Sequence, residues 1–114
     1  MGVGFKQLTL KEFKTICNDI SERTFNTTML SDKTLIIKFK WYINFVLYVI
    51  ELNRIKKLSQ FGEVVESNNY FDDDGKIALK LFDNIKTVLS NKFTFIDIND
   101  IKDFCKKVET EIKV

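Results

Sequence analysis

The stretch Lys33–Leu58, KTLIIKFKWYINFVLYVIELNRIKKL, decides the fold. It is the most apolar part of the chain and holds the single Trp, Trp41. At about 100° per residue, Lys33, Lys40, Asn44, Glu51 and Arg54 gather on one narrow stripe. Nearly every other position from Leu35 to Ile50 is aliphatic or aromatic, including Phe39, Trp41, Tyr42, Phe45 and Tyr48. A helix apolar over most of its circumference is expected to be covered on most sides. The reading is one long buried helix of roughly 40 Å at 1.5 Å per residue. Ser31 is its expected N-cap, and Arg54, Lys56 and Lys57 suit the negative end of its dipole.

Two rival readings of the same stretch are weaker. A membrane span needs about 20 apolar residues, but Lys38, Lys40, Asn44 and Glu51 fall inside any such window. A charge at the bilayer centre costs about 2.5–3.5 kcal/mol, so no membrane association is expected. The alternation Ile37-Lys38-Phe39-Lys40-Trp41 fits a strand. The alternative fold is therefore α+β, with a small sheet from 34–41 and 93–98. Length and the lack of Gly or Pro favour helix.

Working outward, three amphipathic segments surround this one. Thr9-Leu10-Lys11-Glu12 matches a capping box, and Leu10, Phe13, Ile16, Cys17 and Ile20 then recur at helical spacing, fading near Arg23. In the connection that follows, Phe25 and Met29 are expected to turn inward. Asp72, Asp73 and Asp74 place carboxylates at the positive pole of a third helix, with Ile77, Leu81, Phe82, Ile85, Val88 and Leu89 as its stripe. Gly62 is a candidate C-cap for the central helix. Asp97 or Asn99 caps a last helix whose apolar face is Ile101, Phe104, Cys105, Val108 and Ile112. The expected architecture is mainly α: one domain over residues 1–114, a bundle of about four helices around the central one.

Charge and composition exclude more than they assign. The 18 basic and 16 acidic residues give a net charge of +2, too balanced to single out nucleic acid or an anionic membrane. The lysine-rich faces Lys38 and Lys40, Arg54 to Lys57, and Lys102 with Lys106 and Lys107 are diluted by Glu51, Asp100 and Asp103. The first ten residues carry no apolar h-region of a secretory signal. Gly2 fails as a myristoylation site because Lys6 stands where Ser or Thr is required. The expected location is the cytoplasm, where Cys17 and Cys105 would be reduced core thiols. A disulfide between them requires that the first and last helices touch.

The chain has no His. Ser-His-Asp and Cys-His nucleophilic sites, the commonest general base, and His metal sites are therefore absent. Two distant cysteines make no structural zinc site. Placing Gly75 at position 6 of a calcium loop puts Tyr70 at position 1 and Leu81 at position 12, where carboxylates are required. Glu111-Ile112-Lys113 lacks the upstream acidic partner of a nuclease site. Gly2, Gly4, Gly62 and Gly75 form no phosphate loop. Neither catalysis nor any cofactor or metal is expected.

What remains is a non-catalytic protein-binding module, an inhibitor or toxin-immunity type of protein that occludes a partner. Aromatics and charged side chains usually carry such contacts. The candidate partner-binding residues are Glu63, Glu66, Tyr70, Phe71, Asp72, Asp73 and Asp74, carboxylates beside aromatics that would fit a basic toxin cleft. The alternatives are a nucleic-acid-associated subunit using the lysine faces, and a small homo-oligomer that buries its surplus aromatics.

Overall fold

The computed structural model describes residues 8–55, 73–92 and 97–112. Among these residues it shows an all-helical bundle of four α-helices and no strand: α1 Leu10–Phe25, α2 Lys33–Ile55, α3 Asp73–Lys92 and α4 Ile98–Glu111, with a 3-10 turn at Met29–Ser31. The segment 34–41 is helical throughout, so the small sheet is ruled out there. Period-2 alternation over five residues loses to the hydrogen-bond economy of a 23-residue helix. Ile98 begins α4, while residues 93–96 lie outside the described residues, as does Gly62.

The caps explain where the helices begin. At α1, Glu12 N–H donates to Thr9 Oγ1 at 3.2 Å and Thr9 N–H donates to Glu12 Oε1 at 3.1 Å. This reciprocal pair is the capping box expected from sequence. Thr9 N–H, together with the Thr9 hydroxyl at 2.9 Å, donates to the ionised Glu12 carboxyl and holds it below its usual range. The helix runs past Arg23 to Phe25 and ends at Asn26, whose φ of 56° is left-handed. Asn tolerates that conformation better than most residues, and its N–H closes on Glu22 O at 2.8 Å. At α4 the box is Asp97 with Asp100, with bonds of 3.0 and 3.1 Å, so Asp97 rather than Asn99 is the cap.

The cap of α2 corrects the sequence expectation. Ser31 belongs to the preceding 3-10 turn, where its hydroxyl donates to Thr28 O at 3.1 Å. Asp32 takes the capping role, its Oδ1 accepting Leu35 N–H at 3.1 Å and its carbonyl accepting Ile36 N–H. Two adjacent polar residues compete for one position, and the turn uses up the first of them.

The core is shared among all four helices. Its fully enclosed members include Ile20 from α1, Phe39 and Ile43 from α2, Leu81 and Ile85 from α3, and Phe104 from α4. α2 packs along both α3 and α4, and α1 lies along α3. The ring of helices closes where Phe13 of α1 meets Phe104 of α4, with centroids 5.5 Å apart. Asn84 Nδ2 of α3 donates to Thr24 Oγ1 of α1 at 2.9 Å. On α4 the expected stripe is buried residue for residue, as is that of α3 apart from half-buried Ile77. Leu10 is the exception on α1, standing exposed at the first helical position.

Candidate functional site

The central helix is covered over more than half of its circumference, as expected, but it is open along one stripe. Phe39, Tyr42, Ile43, Val46, Val49 and Ile50 form its buried face. On the opposite side Ile37, Trp41 and Tyr48 are exposed by 50%, 51% and 62%. With exposed Asn44 they occupy an arc of about 60° and a length of about 16 Å, at 100° and 1.5 Å per residue of an α-helix. One apolar stripe of α2 therefore builds the core while another faces solvent.

Trp41 is braced from below. The Trp41 indole meets the Tyr42 ring edge-on, with centroids 5.1 Å apart and planes at 81°. It also stacks on Phe45 at 6.1 Å. Tyr42 stacks on Phe25 at 5.6 Å, and Phe25 reaches Phe39 at 6.3 Å. An unbroken series of ring contacts thus runs from the surface Trp to the innermost Phe of α2. Such pairs add about 0.5–1.5 kcal/mol beyond area burial, and they fix the indole in place before any partner arrives.

Of the candidate binding residues named from sequence, Glu63, Glu66, Tyr70, Phe71 and Asp72 lie outside the described residues. Asp73 and Asp74 open α3 and are both exposed, in the first turn where the helix dipole favours a carboxylate. Asp74 Oδ1 accepts the Tyr42 hydroxyl at 2.9 Å. Tyr42 also touches Trp41, so this one residue links the start of α3 to the exposed stripe. The aromatic half of this site escaped sequence reading because Ile37, Trp41 and Tyr48 look no different from their buried neighbours.

The basic residues divide into committed and uncommitted groups. Lys102 is paired with Glu51 across α4 and α2. Lys107 lies over the Phe13 ring, 5.3 Å from its centroid. Lys33, Lys38 and Lys40 form no ion pair among the described residues. They sit toward the N-terminal end of α2, where the dipole already disfavours positive charge and the first turn carries no acid.

Elsewhere the chemistry is sparse. Asp19, Glu22, Arg23 and Asn26 line an open polar depression made by the last turns of α1 alone. No three His, Cys, Asp or Glu side chains converge on a metal-sized site among the described residues. Cys17 and Cys105 are free and buried. Burial pushes the Cys17 thiol up to about 12, with a smaller push from Glu111. It drives Cys105 higher still, helped by Cys17 and Glu109. Thiols held this firmly protonated are poor nucleophiles. No described helix is long and apolar enough to cross a membrane. Comparison with protein families, curated sequences and solved structures finds no match to this chain.

Proposed function

We propose that this chain is a non-catalytic protein-binding module whose docking face is the open stripe of α2, with Trp41 at its centre. The observation that carries this reading is the position of that indole. The only Trp of the chain is half exposed on the flank of the core helix and braced by Tyr42 and Phe45. Trp and Tyr lead the residues that dominate binding energy at interfaces, because they bury a large rigid area at small entropic cost. Leaving such a residue in water forgoes about 1.5–3 kcal/mol of burial that a partner can recover.

The form of binding module that best fits a small chain without His is an inhibitor, with toxin-immunity proteins as one example. It acts by covering a working surface of its partner, which requires shape and rigidity but no reactive group. Asp74, which accepts the Tyr42 hydroxyl, supplies a carboxylate near one edge of the face.

The test compares the native chain with Trp41→Glu as baits in extract from the source cell. Trp41 lies outside the core, so this variant keeps the helical circular dichroism spectrum. A protein retained by the native chain and lost from Trp41→Glu, then shown to bind as a purified pair, supports the reading. Identical retention by both baits overturns it.

A further inference from the structure

We infer that the α2 stripe receives an amphipathic helix of a partner protein whose acidic residues face the Lys33–Lys40 end. The inference rests on the protein-binding reading above and adds the chemistry of the partner.

Three observations carry it. The stripe is helical in spacing: Ile37, Trp41 and Tyr48 stand at i, i+4 and i+11, the seam that a second helix packs against. At about 16 Å it matches three turns of such a helix. Lysines flank it on both sides, Lys38 on one and Lys33 and Lys40 on the other, and none has an ion-pair partner among the described residues. From Lys33 through Ile50 the sequence contains no acid at all. The N-terminal end of the stripe is therefore edged by uncompensated positive charge at the positive pole of a helix dipole. Carboxylates on a partner helix neutralise that charge, while its apolar residues cover the strip.

The same charges argue against other occupants. In a second copy packed antiparallel on α2, the lysine half would meet the Glu51 half, where Glu51 is already paired with Lys102. The lysines gain nothing there. A nucleic acid strand could stack on Trp41, but its evenly spaced phosphates would pass Asp74, joined to the stripe through Tyr42, whereas a helix can keep its carboxylates at the Lys33–Lys40 end. Lys102 and Lys107, which would extend a phosphate track, are engaged with Glu51 and Phe13.

Trp41, as the lone indole, reports directly on occupancy. The probes are two synthetic helical peptides with the same leucine seam, one flanked by Glu and the other by Lys, together with a single-stranded oligothymidylate. Binding is read from Trp41 emission of the full chain. The glutamate peptide is expected to bind at least about tenfold tighter than the lysine peptide, a difference of about 1.4 kcal/mol. That preference should reverse in Lys33→Glu/Lys38→Glu, whose substituted positions are both exposed. Circular dichroism verifies that this variant is folded, and Lys33→Gln/Lys38→Gln, expected to abolish the preference, replaces it if it is not. Equal binding of the two peptides, or no binding of either, overturns the acidic-helix inference and leaves the protein-binding reading to its own retention test. Tighter binding of the oligothymidylate overturns it in favour of nucleic acid. A dimer in sedimentation that dissociates in Trp41→Glu overturns it in favour of a second copy.

Discussion

The Tyr42 hydroxyl donates to Asp74 Oδ1 at 2.9 Å, joining the middle of α2 to the first turn of α3 across 32 positions of sequence. The tyrosine ring is buried, whereas the carboxylate that it reaches is exposed. This bond therefore ties the packed face of α2 to a surface carboxylate of α3.

Removing that bond should cost stability without unfolding the chain. Tyr42→Phe keeps the ring contacts with Phe25 and Trp41 and loses only the hydroxyl. The expected loss is about 1 kcal/mol, a fall of about 4 °C in Tm for a chain of this size. A double-mutant cycle with Asp74→Ala isolates the pair. A coupling energy indistinguishable from zero would show that the bond contributes nothing.

The two apolar faces of α2 should respond very differently to truncation. Phe39 is fully enclosed and Phe39→Ala should cost about 3–5 kcal/mol in urea unfolding. Trp41→Ala removes a larger side chain, yet it should cost only about 1 kcal/mol because half of that side chain already meets water. Comparable losses at both positions would mean that Trp41 belongs to the core.

Most of the framework can be read from sequence, for identifiable reasons. Phe13, Ile16, Cys17 and Ile20 in α1 and Ile101, Phe104, Cys105 and Val108 in α4 recur at helical spacing against charged neighbours, and all eight are buried. Thr9-Glu12 is a local capping signal and reads correctly. α2 is different. Hydropathy distinguishes apolar from polar but not covered from uncovered, so a helix apolar on two flanks looks buried on both. The openness of Trp41 and Tyr48 depends on where α3 and α4 dock, which is long-range information. The Tyr42–Asp74 bond is hidden for the same reason. Asp73 and Asp74 were legible as helix-starting acids, but the link from Asp74 through Tyr42 to Trp41 was not.

The thiols make the stability depend on alkaline pH. Cys17 is raised to about 12 and Cys105 is raised further, from an ordinary value near 9. The folded chain therefore keeps both protons where the unfolded chain releases them. Stability from this source is fully present below pH 9 and is lost as pH rises from there toward 12, by up to about 1.4 kcal/mol per pH unit per thiol. Cys17→Ala/Cys105→Ala should show a flatter decline between pH 8 and pH 10 than the native chain. In the native chain, a thiol reagent should react with neither cysteine at neutral pH until denaturant is added. Parallel pH profiles for the two proteins, or rapid native labelling, would contradict the burial.

One buried polar atom offers a route to a more stable variant. Ser21 is fully enclosed and its Oγ has no hydrogen-bond partner among the described residues. An unsatisfied buried hydroxyl costs about 1–3 kcal/mol, so Ser21→Ala should be neutral or should raise stability by about 1 kcal/mol. A loss above about 1 kcal/mol would reveal a bond that Ser21 makes in solution.

A docking face on α2 requires that the helix present one apolar flank to the core and another to solvent. Acrylamide quenching of Trp41 fluorescence measures this most directly, because no second indole contributes to the signal. The native chain should be quenched to a substantial fraction of the extent seen for free indole, with little change on unfolding. Emission resembling that of an enclosed indole, resistant to quencher until the chain unfolds, would place Trp41 in the interior and remove the docking face.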